Sequence, residues 1–284
     1  MKGKLKIKIG CLGPEGTFSH WAGIRWRNAE LICLNSFAKL FEAIEAGEVD
    51  EIIVPIGNFL IGGIGQVMDL VIKGNGHLHA VGELIMPVRQ NLIAVKKIPL
   101  NNITSVVSIN EAINQCGGWL KKNLPNAKII SVESTAAAVK DLKKHGKTAA
   151  AIGPCLAAEI YNRHVIVKDI HDNKDNATRF LVLSREKRVE EMVVNKKYKT
   201  SIILKTKNKP GALVDVLLPL KVFKINMSKI ESRPSKVSMH ESIFWIDIDG
   251  HQEENKVKEV IKNIGGVVVY IKVLGSYPKA RRRK

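Results

Sequence analysis

The chain has 284 residues, 45% of them hydrophobic, and its 45 Lys and Arg against 27 Asp and Glu give a formal net charge of +18. That length suits about two domains with buried cores, and no run reaches the roughly 18 apolar residues that a membrane-spanning helix needs. The charge raises nucleic acid as a partner, but the lysines are spread out, the one dense cluster is the tail Lys279–Lys284, and aromatic residues for base stacking are only 5%, so a basic surface that attracts an anionic metabolite is the favoured reading. Met1 to Gly10 alternates Lys with Leu or Ile and builds no signal-peptide core, which predicts a cytoplasmic protein. Cys11, Cys33, Cys116 and Cys155 include no Cys-x-x-Cys spacing and read as reduced core residues, with no metal centre.

In chain order, Leu5 to Cys11 alternates like a strand and runs into Leu12-Gly13-Pro14-Glu15-Gly16-Thr17-Phe18-Ser19, after which Phe18, Trp21, Ala22, Trp26 and Ala29 recur at helical spacing. Such a turn aims free N–H groups at one spot, suited to a carboxylate or phosphate, although its spacing is not that of a dinucleotide or P-loop fingerprint. A second helix starts at Ser36 and ends at Gly47, followed by a buried strand from Glu51 to Ile56. The turn Gly57–Gly63 then leads into a helix carrying Ile64, Val67, Met68 and Val71, and it occupies the carboxyl end of a strand, the usual ligand position in open α/β sheets. Strands surround Pro87, and His77 and His79 read as a solvated pair. Next come helix Asn110–Asn123, strand Lys128–Val132, helix Ser134–Lys144, strand Thr148–Gly153, helix Pro154–Asn162, strand His164–Ile170 and the strand opened by Thr178. This alternation predicts α/β layers.

The pattern changes after Arg185-Glu186-Lys187-Arg188, a charged linker candidate. From Thr200 onward it reads strand 201–205, turn 208–211, helix 212–223, strands 226–233 and 241–249, helix 253–264 and strand 267–273. That order is βαββαβ, a ferredoxin-like module whose loops hold no nucleophile with a base.

Six motifs in the first 185 residues resemble those of the prephenate dehydratase family, in its order. They are Gly13–Ser19, Val54-Pro55-Ile56-x-Asn58, Gln115-Cys116, Ser134-Thr135-Ala136, Ala149-Ala150-Ala151-Ile152 and Thr178-Arg179-Phe180. The later module resembles the family's ACT regulatory domain, with Gly211-Ala212-Leu213 and Glu231-Ser232-Arg233-Pro234 at its phenylalanine-sensing motifs. The resemblance implies a catalytic domain over 1–185, built as two lobes like a periplasmic binding protein, and an ACT domain over 198–276. Within the catalytic part it implies a first lobe of residues 1 to about 80 plus the Thr178 strand, and a second of about 81 to 165.

The implied reaction converts prephenate to phenylpyruvate, expelling one carboxylate as CO2 and the ring hydroxyl as water, with no cofactor. Aromatisation drives it, so the protein must orient the ring, anchor the anions and donate a hydrogen bond to the leaving oxygen. By carry-over Thr178 is that donor and Arg179 stands near a carboxylate, while Phe180, Asn58, Ser108, Gln115, Thr135, Thr17 and Ser19 bind substrate. Pattern alone also allows Ser108 and Thr135 to be ordinary cap or turn residues. L-Phenylalanine is the implied effector, bound through Gly211, Ala212, Leu213, Glu231, Ser232, Arg233 and Pro234 in a homodimer or homotetramer.

The chain departs from the family where Gly57-Asn58-Phe59 replaces Glu-Asn-Ser, where Ile61 replaces a commonly polar residue, where Gln90 and Ile109 replace frequent histidines, and where Pro154 replaces a serine. These departures thin the substrate-binding network. Arogenate dehydratase, of the same reaction class and not discriminated by the sequence, stands as one alternative, and a catalytically weak phenylalanine-binding regulator, favoured by Gly57 and Phe59, as another.

Overall fold

The computed structural model describes residues 7–74, 77–187, 196–235 and 238–280. The first six residues of the N-terminal alternation, Arg188 of the linker candidate and the last four residues of the basic tail lie outside them.

Lobe 1 comprises β1 (Lys8–Leu12), α1 (Phe18–Trp26), β2 (Glu30–Leu34), α2 (Phe37–Ala46), β3 (Glu51–Asn58), β4 (Gly62–Gly63), α3 (Gly65–Lys73) and β5 (His79–Pro87). Helix α2 shows why such segments fold as read. The Ser36 hydroxyl accepts from Lys39 N, Gly47 supplies a left-handed cap at φ 78°, and Leu40, Phe41, Ala43 and Ile44 form one buried face. Strand β2, the two-residue β4 and the strand Ser105–Ser108 of the second lobe are the elements the sequence reading lacked, since β2 shows no alternation of burial and the other two are only two and four residues long.

The chain then crosses to lobe 2, formed by β6 (Asn91–Ala94), β7 (Ser105–Ser108), α4 (Asn110–Gln115), α5 (Gly117–Asn123), β8 (Lys128–Ser131), α6 (Thr135–Lys140), β9 (Ala149–Gly153), α7 (Cys155–Ile160) and β10 (His164–Val167). The single helix expected over 110–123 is broken at Cys116. Gly117 and Gly118 weaken it there, and the Asp172 carboxylate caps the restarted helix by accepting from Gly118 N and Trp119 N at 2.8 and 3.0 Å. A second crossing returns the chain to lobe 1 as β11 (Ala177–Ser184).

Lobe 1 has the strand order β2-β1-β3-β11-β5 with β11 antiparallel to both neighbours, and lobe 2 has the order β10-β6-β9-β7-β8. The two crossings run side by side, tied by Val88 N to Asn176 O at 2.9 Å and Ile170 N to Gln90 O at 2.8 Å. Because β5 pairs with β11 along its whole length, lobe 1 runs to Pro87, which corrects the expected division near residue 80.

The C-terminal module contains β12 (Tyr198–Thr206), α8 (Ala212–Val222), β13 (Met227–Ser235), β14 (Ser238–Asp249), α9 (Asn255–Val267) and β15 (Val268–Pro278), with all pairings antiparallel in the order β13-β14-β12-β15. This is the expected ferredoxin-like topology. Helices α8 and α9 cover one sheet face through Val216, Leu220, Val257, Val260 and Ile264. The other face is not left to solvent, since its Ile203, Trp245, Leu274 and Tyr277 share one buried cluster with Leu181 and Leu183 of β11. Each such apolar side chain contributes roughly 1.5 to 3 kcal/mol when buried, so the module is docked on lobe 1.

Candidate active site

Thr178 opens β11 directly after the second crossing, opposite Asn58 at the end of β3. Simple alternation would put Asn58 on the wrong face, since Ile52, Val54 and Ile56 all point into the cluster shared with the C-terminal module. The pairing slips by one residue between Arg179 and Phe180, leaving Ile56 as the extra residue of a bulge. That bulge turns Asn58 to the Thr178 side, where Asn58 Nδ2 donates to Thr178 Oγ1 at 3.0 Å.

The polarity of this bond is fixed locally. Asn58 Oδ1 accepts from Leu60 N and Ile61 N at 2.9 and 3.3 Å, so the amide nitrogen must be the group facing Thr178. Thr178 Oγ1 is thereby an acceptor from Asn58, and its own proton remains available to another oxygen. The turn between β3 and β4 exposes Phe59 at 68% and Ile61 at 61%, so Phe59 has not been absorbed into packing.

Arg179 corrects the sequence expectation. As the next residue on the strand it faces away from Thr178, donating from Nε to Glu83 at 2.6 Å, from Nη1 to Asp247 and from Nη2 to Tyr277 Oη at 2.9 Å. With three protein partners it has no arm for a substrate carboxylate. Burial alone would disfavour the charged guanidinium, but Tyr277, Asp247 and Glu83 more than offset this and raise its pKa. Lys199 also donates to Glu83, at 2.9 Å, and its pKa is lowered by burial and by Arg179. Phe180 is a second correction, because at 1% exposure it is core, packed with Ile9, Ile53 and Val182.

At the turn after β1, the Thr17 hydroxyl donates to Leu12 O at 2.9 Å and accepts from His20 N at 3.1 Å, so it serves as the cap of α1 and holds the turn. Ser19 is buried behind it. Gly16 sits at φ +87°, and a Cβ there would stand 3.0 Å from Ala157 Cα of α7. Lobe 2 thus closes on this turn, with Tyr161 Oη donating to Glu15 O at 2.7 Å. His20, which the sequence reading passed over, accepts from Gly16 N at 3.1 Å through Nδ1, and burial lowers its pKa. It is held neutral with the proton on Nε2.

In lobe 2, Ser108 is fully buried and donates to Ile152 O at 2.8 Å, and Thr135 is buried in the first turn of α6. Gln115 reaches the crossings, where its Oε1 accepts from Gln90 Nε2 at 3.2 Å. Behind it Gln90 N donates to His171 Nδ1 at 3.4 Å. Among the described residues, Gln90 Oε1, His171 Nε2 and both side-chain polar atoms of Asn176 are buried without a protein partner. Burial pushes the neighbouring Cys116 thiol up to about 12, with Asp172 adding to the effect, which keeps it an inert thiol. No group of three metal-ligating side chains occurs among the described residues.

In the C-terminal module, Gly211 precedes α8 at φ +79° with open space around it, and a cavity of about 300 Å3 is lined by Lys207, Asn208, Gly211, Ala212, Leu213 and Phe244 among others. The stretch 231–234 is divided by strand alternation. Ser232 and Pro234 pair with Phe244 and Ser242, both of which line that cavity. Glu231 and Arg233 turn instead to lobe 1, Glu231 lying against Gly63 and Arg233 gripping Asp69 through Nε and Nη2 at 3.1 and 3.2 Å. Within one chain these two residues therefore face lobe 1 and not the cavity.

The prephenate dehydratase family model matches residues 9–188, the two lobes just described. The chain belongs to the prephenate dehydratase family. It is 34% identical over 277 residues to a bifunctional chorismate mutase/prephenate dehydratase of Aquifex aeolicus, covering 97% of this chain and 74% of that protein. It is 31% identical to an arogenate dehydratase/prephenate dehydratase of Arabidopsis thaliana, covering 96% and 73%. Among solved structures, a prephenate dehydratase from Arthrobacter aurescens in complex with L-Phe superimposes with a TM-score of 0.88 at 30% identity, covering 96% of this chain and 90% of that one. Family membership therefore extends in sequence and in shape over the docked C-terminal module as well.

Proposed function

We propose that the chain converts prephenate to phenylpyruvate, with Thr178 as hydrogen-bond donor to the departing ring hydroxyl. The observation that carries this is the polarity of the Asn58–Thr178 pair, which leaves the Thr178 proton unused and stabilises negative charge on Oγ1. As the C–C bond to the carboxylate breaks, its electron pair enters the ring and the C–O bond opposite breaks, the oxygen leaving as hydroxide, hydrogen-bonded by Thr178, and becoming water on taking up a proton from solvent. A threonine does not ionise near neutrality, so its part is to stabilise charge developing on the leaving oxygen. On this reading Gln115 and the turns after β1 and β3 orient the ring, and neutral His20 adds a polar group at the turn without adding charge.

Residues 198–276 serve as an ACT-type sensor of L-phenylalanine, distinct from the catalytic unit 1–185. Support comes from the Gly211 cavity and from the two-faced strand β13, which carries Ser232 and Pro234 towards the cavity face and Glu231 and Arg233 towards lobe 1. The Arthrobacter aurescens structure with L-Phe supports the same ligand. Val214, Leu218 and Val222 of α8 are 64%, 55% and 65% exposed on one helix, an apolar face suited to a homodimer or homotetramer. The setting is a cytoplasmic biosynthetic enzyme.

The test is purified protein with prephenate, phenylpyruvate being read in the ultraviolet. Thr178→Ala is expected to lower kcat by about 100-fold or more, the scale of a lost acid or oxyanion donor, with an unchanged melt. Near-normal turnover would remove Thr178 from the role. The name of the Arabidopsis relative favours arogenate as a second substrate, and a side-by-side assay of the two substrates decides preference.

A further inference from the structure

Glu83 of β5, Arg179 of β11, Lys199 and Ser201 of β12, Asp247 of β14 and Tyr277 of β15 form one buried polar network across the joint between lobe 1 and the C-terminal sheet. Glu83, Ser201 and Asp247 are nearly or fully inaccessible, and Tyr277 is 1% exposed. The two carboxylates and two cations balance. Ser201 Oγ meets both Asp247 Oδ1 and Tyr277 Oη, Trp245 Nε1 donates to Asp247 Oδ1 at 3.0 Å, and Ala280 N donates to Glu83 Oε1 at 2.9 Å. Every arm of the guanidinium is thus committed, and each partner is itself held by a second group.

A network of this kind has few tolerated geometries, because displacing one member strands a buried charge. Its anchor on the catalytic side is the residue next to Thr178, on a strand paired on both sides. Alternation puts Arg179 on the face away from the site, so a shift or roll of its Cα is carried through one rigid peptide unit to Thr178.

We infer that Arg179 is a positioning residue for Thr178 and that Asp247, Ser201 and Tyr277 of the C-terminal sheet set its position, so that this sheet forms part of the support of the catalytic donor. This rests on the proposed role of Thr178. Binding in the C-terminal module that moves β12, β14 or β15 then reaches the donor without any contact to substrate.

The experiment uses the full chain with Tyr277→Phe, which removes a hydroxyl on the face of β11 opposite Thr178. At a temperature well below Tm, kcat is expected to fall roughly tenfold with KM within a factor of two, short of the roughly 100-fold that a 1 Å misplacement of a reacting group costs. Val216→Ala, in the core under α8 on the opposite face of the same sheet, serves as a control that lowers Tm without touching the network and should leave kcat unchanged. Ser201→Ala should repeat the kcat effect to a smaller extent, which keeps the test open if Tyr277→Phe does not fold. Unchanged kcat in the network variants, or an equal loss in Val216→Ala at a matched loss of Tm, overturns the inference. A wild-type chain inactive on prephenate defeats the functional reading instead, and Thr178→Ala separates the two.

Discussion

A single amide decides what the candidate donor can do. Asn58 Nδ2 faces Thr178 only because its Oδ1 is occupied by two backbone N–H groups of the turn. Asn58→Asp preserves shape and the turn bonds but replaces the donor by an acceptor, so that the Thr178 proton is drawn to the new carboxylate. Turnover should fall about as far as in Thr178→Ala, on the order of 100-fold, while a thermal melt stays near that of the wild type. A full-rate Asn58→Asp enzyme would show that the polarity of this pair is irrelevant. His20 carries a prediction of a different kind. Its folded pKa lies below the ordinary 6.5 because burial disfavours the imidazolium, so the unfolded chain takes up the proton first. The stabilising effect is present above pH 6.5 and is lost as pH falls below it. Denaturant unfolding between pH 7.5 and 5 should show this decline, and His20→Asn, which keeps an acceptor near the Nδ1 position for Gly16 N, should flatten part of it.

At the scale of elements, the bulge at Ile56 and the turn it feeds are what bring β3 to the site. Gly57 has only ordinary contacts around a built Cβ, Gly62 O being 3.5 Å away, and Phe59 is exposed. A larger residue at 57 and a polar one at 59 therefore fit without repacking. Gly57→Glu with Phe59→Ser should fold with an unchanged melt and lower KM or raise turnover, each regained polar contact to substrate contributing about 0.5 to 1.5 kcal/mol. A destabilised double variant with lower activity would mean that the exposed apolar turn has a packing role in an assembly. The following glycines are constrained from the other side. A Cβ at Gly65 would stand 2.6 Å from Arg233 Nη1, and one at Gly63 would overlap the Glu231 carboxylate. Strand β13 is therefore seated directly on the β4–α3 corner next to Asn58.

For the whole molecule, the C-terminal module meets lobe 1 twice, through the Arg179 network and through Glu231 and Arg233. An effector bound at Gly211, as proposed, would act on a sheet whose other face is already committed to lobe 1. L-Phenylalanine should raise Tm in proportion to RT ln(1 + [L]/Kd), about 2.7 kcal/mol at a hundredfold excess over Kd, and inhibit over the same concentration range. Calorimetry and melts at millimolar ligand check this. No heat, no shift and no inhibition would reduce the module to a structural clamp.

The sequence by itself determined most of the alternation of elements and the βαββαβ order after residue 198, because these depend on local periodicity, caps and turn residues that a linear reading contains, and its motifs carried the resemblance to the family. It also singled out Thr178 and Asn58 as candidates, whose motifs stand at strand ends. Tertiary structure decided the rest. The direction of Arg179 depends on which face of β11 a distant sheet covers, and the bulge that delivers Asn58 depends on the register between strands 120 residues apart in sequence. Glu83, Lys199, Asp247 and Tyr277 carried no local signal, since a charged or phenolic residue on a strand usually marks a solvated face. Here they became a buried, charge-balanced joint because docking removed that face from water, and only mutual pairing makes such burial tolerable.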